Sequence, residues 1–109
     1  MTRKMKVEPG SGNIFADLGL PDAKTHFLKA QIVSEIYRLV RERKLTQARA
    51  GERLGITQPE VSRLFKGNFR EYSIERLIGF LTALDRDVEI TVRARKEASG
   101  QIRFTAAAV

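Results

Sequence analysis

Apolar residues recur at helical spacing through the middle of the chain and at strand spacing near its end. Phe27, Ile32, Val33, Ile36, Leu39 and Val40 predict a helix from Asp22, its cap, to about Lys44, with all six facing the core. Residues 41–44, RERK, close that helix with mostly positive charge, which suits the negative end of its dipole. Thr46 caps a second helix to about Leu54, with Ala50 and Leu54 on one face. Gly55 ends it in the left-handed conformation, and Ile56 turns into the core. Thr57 starts a third helix through the capping box Thr57-Gln58-Pro59-Glu60; its inward stripe is Val61, Leu64 and Phe65, and Gly67 stops it. After a polar turn, NFREYS, Ser73 caps a fourth helix. Its stripe of Ile74, Leu77, Ile78, Leu81 and Leu84 is needed for its own core.

Beyond Asp87 the period falls to two. Val88, Ile90 and Val92 alternate with Glu89, Thr91 and Arg93 as a strand. KEASG reads as a turn, and Ile102 and Phe104 alternate as a second strand. The chain thus divides into a mobile basic arm over residues 1–13, a helical domain over 14–87 and a β segment over 88–109. Ile14, Phe15, Leu18 and Leu20 should hold the start of the domain against its body.

Composition narrows the chemistry. The 109 residues suit one small domain. Twenty basic residues against thirteen acidic ones leave a net charge of +7, which favours an anionic partner. There is no cysteine and His26 is the single histidine, so thiolate and multi-histidine metal sites are excluded and no cofactor is implied. The carboxylates are scattered among basic residues, and no phosphate-cradling glycine loop is present, so an enzyme is not expected. No apolar run approaches the ~20 residues that span a membrane, and the first residues lack the apolar stretch of a secretory signal. A cytoplasmic protein is expected.

Two short helices joined at a glycine, the second one capped, form a helix-turn-helix. In that arrangement the first helix rests on the DNA backbone and the second enters the major groove with its amino-terminal residues toward base edges. Four residues are therefore base-contact candidates. Gln58 can pair bidentately with adenine, and Arg63, one turn on, suits guanine O6 and N7. Pro59 can touch a thymine methyl, and Ser62 lies on the same outward face. Gln47, Thr57, Lys66, Asn68 and Arg70 are phosphate candidates. Other roles are open for three of these residues. Gln58 could only satisfy the helix start, Arg63 could pair with Glu60 or Glu71, and Ser62 could bond back to its own helix.

Residues 45–67 resemble the Cro/C1-type, or XRE-type, regulators. The family pattern is matched by Thr46, Gln47, Gly51, Leu54, Gly55, Ile56, Thr57, Gln58, Val61, Ser62, Arg63 and Gly67. The resemblance implies a mainly α, lambda-repressor-like bundle of four to five helices, here followed by a C-terminal β-strand or hairpin. It also implies a phosphate contact for Gln47. Ala50 and Gly51 stand where the broad family more often has leucine and alanine, Gly51 meeting the pattern only as a small residue; closer packing or a weaker second helix follows.

More broadly, SGNIFADLGL, the motif and FREYSIERLIGFLTALDRDVEI are similar to the small HigA-like antitoxins. That implies an autoregulating repressor that neutralises a RelE/HigB-like, mRNA-cleaving toxin. A phage-type or other XRE-family repressor without a toxin is the alternative. Such proteins usually bind two-fold operators as homodimers on double-stranded DNA. Val88, Ile90, Val92, Ile102 and Phe104 form the candidate interface, since a terminal hairpin leaves open edges and an apolar face.

Overall fold

Four helices form the body, and local chemistry sets their ends. The computed structural model describes the backbone of residues 2–6, and residues 22–94 and 100–107 in full. In chain order the elements are β1 (Thr2–Lys6), α1 (Asp22–Glu42), α2 (Gln47–Leu54), α3 (Gln58–Phe65), α4 (Ile74–Ala83) and β2 (Glu89–Arg93). Thr46, Thr57 and Ser73 cap α2, α3 and α4, each side chain accepting the amide of the residue three places on. All four helices close with a residue of positive φ, at Lys44, Gly55, Gly67 and Asp85. At α3, for example, the Asn68 amide returns to the Arg63 carbonyl and the Gly67 amide to Leu64.

The core is shared by the four helices. Leu28, Ile32, Ile36 and Val40 of α1 are buried together with Leu54, Ile56, Val61, Leu64, Leu77, Leu81 and Leu84. Two aromatic assignments need correction. Phe27 was expected inside but is 65% exposed; Leu28 takes the buried position. Phe27 stands nine residues before Ile36, about half a turn out of phase with it at 3.6 residues per turn. Conversely, Phe69 of the supposedly polar turn is only 6% exposed. It stacks on His26 at 4.9 Å, and the Lys29 ammonium donates to the neighbouring Arg70 carbonyl at 2.9 Å, so α1 draws this turn inward.

The sheet also differs from expectation. Thr2–Lys6, assigned by composition to a mobile arm, pair antiparallel with β2, Thr2 opposite Arg93 and Lys6 opposite Glu89. Residues 100–107 form no strand. Phe104 instead packs, half-buried, against the core at a groove lined by Ala30, Gln31, Ser34 and Glu35. Main-chain pairing needs an extended segment with free N–H and C=O groups, not an apolar one, so a basic stretch can take the place expected of Ile102–Phe104. The rest of the expected arm, residues 7–13, the apolar stretch 14–20 and most of the KEASG turn lie outside the described residues.

Candidate nucleic-acid interface

The α2–α3 unit depends on one close approach. Gly51 is buried within α2, and its carbonyl accepts the amides of both Gly55 and Ile56. A Cβ at Gly51 would lie 2.6 Å from the Ile56 carbonyl oxygen. Glycine therefore lets the turn fold directly onto α2. The departure from the family pattern at residue 51 is the closer packing named as one of its two consequences.

The first turn of α3 is built as a network. The Thr57 hydroxyl accepts the Glu60 amide, and the Glu60 carboxylate accepts from the Thr57 amide at 3.3 Å and its hydroxyl at 3.0 Å. This reciprocal cap fixes the helix start. The Thr57 bonds hold the Glu60 carboxyl below the usual carboxylate range. Gln58 is exposed, and its Nε2 donates to Gln47 Oε1 at 2.7 Å. Two residues expected to touch DNA independently, one on each helix, are thus joined. Pro59 is exposed beside them.

The Arg63 side chain is exposed and forms no hydrogen bond or ion pair among the described residues, so the alternative pairing with Glu60 or Glu71 is not made. Ser62 is half-buried, and among the described residues its hydroxyl makes no hydrogen bond back to α3. Lys66, Asn68 and Arg70 are exposed around the carboxyl end of α3. Val61 and Leu64 are fully buried on the opposite face. The outward face thus carries amide and guanidinium groups on a helix capped at both ends, the equipment for base and phosphate contact.

Other arginines are occupied within the molecule. Arg49 lies 3.7 Å from Glu52; Arg53 donates to the Ala83 carbonyl and, with Arg43, to Asp85. Two contributors escaped the sequence reading. Lys29 of α1 holds the turn after α3, and Tyr72 reaches Glu60 from the residue before the α4 cap, its hydroxyl 3.4 Å away. A tyrosine immediately before a serine cap was the available signal for the second.

The candidate dimer residues are not placed alike. Val88, Ile90 and Phe104 are half-buried against the chain's own core, whereas Val92 and Ile102 are 53% and 44% exposed. Among the described residues no group of His, Asp and Glu side chains could hold a metal ion, and no helix is long and apolar enough to cross a membrane.

Comparison with known proteins bears on this face. A family described as a helix-turn-helix domain matches residues 14–93. The solved structure of a candidate XRE-family transcriptional regulator is similar at a TM-score of 0.71 and 36% identity, over 82% of this chain and 100% of that one. No curated protein matches the chain.

Proposed function

The chain belongs to the XRE-type helix-turn-helix family of DNA-binding transcriptional regulators, and from that premise we propose that it is a sequence-specific repressor reading its operator with α3. The observation that carries this reading is Arg63, its side chain exposed and unpaired among the described residues, five residues beyond a Gln58 braced by Gln47. Gln58, Pro59, Ser62 and Arg63 face base edges; Gln47, Thr57, Lys66, Asn68 and Arg70 hold the phosphates. The excess of positive charge supports the second group. The test is a titration of the DNA upstream of the gene against a scrambled duplex at one salt concentration. Preference for the upstream DNA supports the reading; equal affinity overturns it.

The same proposal includes a cytoplasmic antitoxin. Residues 11–20 and 69–90 resemble HigA-like antitoxins, so the repressor would neutralise a RelE/HigB-like toxin encoded beside it and repress their shared operon. Expression of the adjacent reading frame alone should arrest growth, and co-expression of this chain should relieve the arrest. Growth unaffected by the neighbour favours the phage-type repressor.

A homodimer completes the proposal, because one reading helix contacts one half-site. Val92 and Ile102 are exposed, and among the described residues β2 pairs with β1 in a two-stranded sheet. A second copy seated on this segment would shield both apolar side chains.

A further inference from the structure

We propose that Tyr72 is a positioning residue that sets the angle at which α3 meets DNA, acting through Glu60. This rests on the DNA-reading role proposed above. α3 packs on α2 and α1. Its amino end, where Gln58 and Pro59 project, is tied toward α4 by Tyr72, whose hydroxyl faces Glu60 Oε2 at 3.4 Å. The other oxygen of that carboxylate is engaged by the Thr57 amide and hydroxyl. One carboxylate therefore couples the α3 cap to the residue preceding the α4 cap.

Tyr72 is itself held. Its ring meets Phe80 of α4 edge-on at 5.7 Å, and the Arg76 guanidinium lies 4.9 Å over its face. Its amide is bonded to the Phe69 carbonyl at 3.1 Å. Burial and the Glu60 charge both raise the hydroxyl above its ordinary pKa, so it remains a neutral donor at physiological pH. A ring fixed on α4 with a hydroxyl aimed at the α3 cap can transmit position without touching DNA. Small displacements at the start of a reading helix matter because bidentate base contacts are directional.

Tyr37 supplies an internal control. Its ring packs edge-on against Phe65 at the other end of α3, but among the described residues its hydroxyl accepts only from Arg41 of its own helix, at 3.2 Å. Removing that hydroxyl leaves the link between α1 and α3 intact.

The experiment uses the duplex that the wild-type protein enriches from a random-sequence DNA pool. Tyr72→Phe keeps the ring and its stacking. It should bind the enriched duplex roughly 3–10-fold more weakly, the range of the net contribution of one ordinary hydrogen bond. Binding to a scrambled duplex should stay unchanged, the melting temperature should fall by no more than about 8 °C, the most expected for one lost hydrogen bond, and Tyr37→Phe should match the wild type in binding to both duplexes. Equal loss on both duplexes, a loss of helical circular dichroism at the assay temperature or wild-type affinity in Tyr72→Phe would each overturn the inference, as would a binding loss in Tyr37→Phe of the same size. If no sequence is enriched, the DNA-reading premise fails and this inference falls with it.

Discussion

Gln47, the first residue of α2, and Gln58, the first residue of α3, are joined by a 2.7 Å amide–amide hydrogen bond across the helix-turn-helix. The bond uses the carbonyl oxygen of Gln47 and one N–H of Gln58. It leaves the Gln47 NH2 free for a phosphate, and the Gln58 carbonyl oxygen and second N–H free for an adenine edge. Gln47→Ala should remove both the phosphate contact and the brace. Operator affinity should fall by about 1–3 kcal/mol, with helical circular dichroism unchanged. Wild-type affinity in this variant would show that Gln58 orients itself without help.

Gly51→Ala sets helix propensity against space. Alanine should favour an isolated helix by roughly 1 kcal/mol. Here its Cβ would meet the Ile56 carbonyl at 2.6 Å, and a backbone atom cannot step aside as a flexible side chain can. The strain should win, with a net destabilisation of about 1–2 kcal/mol in urea unfolding. A variant more stable than the wild type would mean that the turn relaxes freely.

These features differ in how far the sequence reveals them. The caps at Thr46, Thr57 and Ser73 and the left-handed Gly55 and Gly67 are legible because each is decided within a few neighbouring residues. The left-handed Lys44 and Asp85 are not, since neither residue type demands that conformation. Phe27 and Phe69 exchange their expected environments because burial depends on which helix lies opposite. The pairing of β1 with β2 joins segments more than eighty residues apart, and no local pattern in Thr2–Lys6 announces it. On the reading face, residue types pointed to Gln58 and Arg63. The brace from Gln47 and the reach of Tyr72 are products of tertiary packing.

Acid should weaken the fold partly through Glu35. This carboxylate, 9% exposed, takes two hydrogen bonds from Arg38, at 2.8 and 2.7 Å, which hold it below its ordinary pKa of 4.5. A folded-state pKa below the unfolded value gives stability that is full above about pH 4.5 and is lost as pH falls through the lower folded value. Urea midpoints at about pH 7 and pH 3 should therefore lie closer together in Glu35→Gln than in the wild type. Parallel losses in the two proteins would place the acid sensitivity elsewhere.

The proposed dimer predicts a distinct outcome for Val92. This exposed strand residue contributes little to the chain's own core, so Val92→Lys should leave the melting temperature of the helical body nearly unchanged. Sedimentation should shift from dimer to monomer, and operator binding should weaken as the second half-site contact is lost. A variant that still sediments as a dimer would move the interface away from β2.

The central claim is that α3 reads DNA sequence, and Arg63 tests it most directly, because its side chain is exposed and, among the described residues, carries no hydrogen bond or ion pair that substitution would break. The measurement is an equilibrium titration of wild-type, Arg63→Ala and Lys66→Ala proteins against the preferred duplex and single-base variants of it, over a range of salt. Arg63→Ala should lose about 1–3 kcal/mol and become indifferent at one base pair, with its circular dichroism intact. Lys66→Ala should weaken binding to all the duplexes alike and lower the salt slope by about one. An Arg63→Ala protein that keeps wild-type affinity and discriminates every base pair as before would contradict the account.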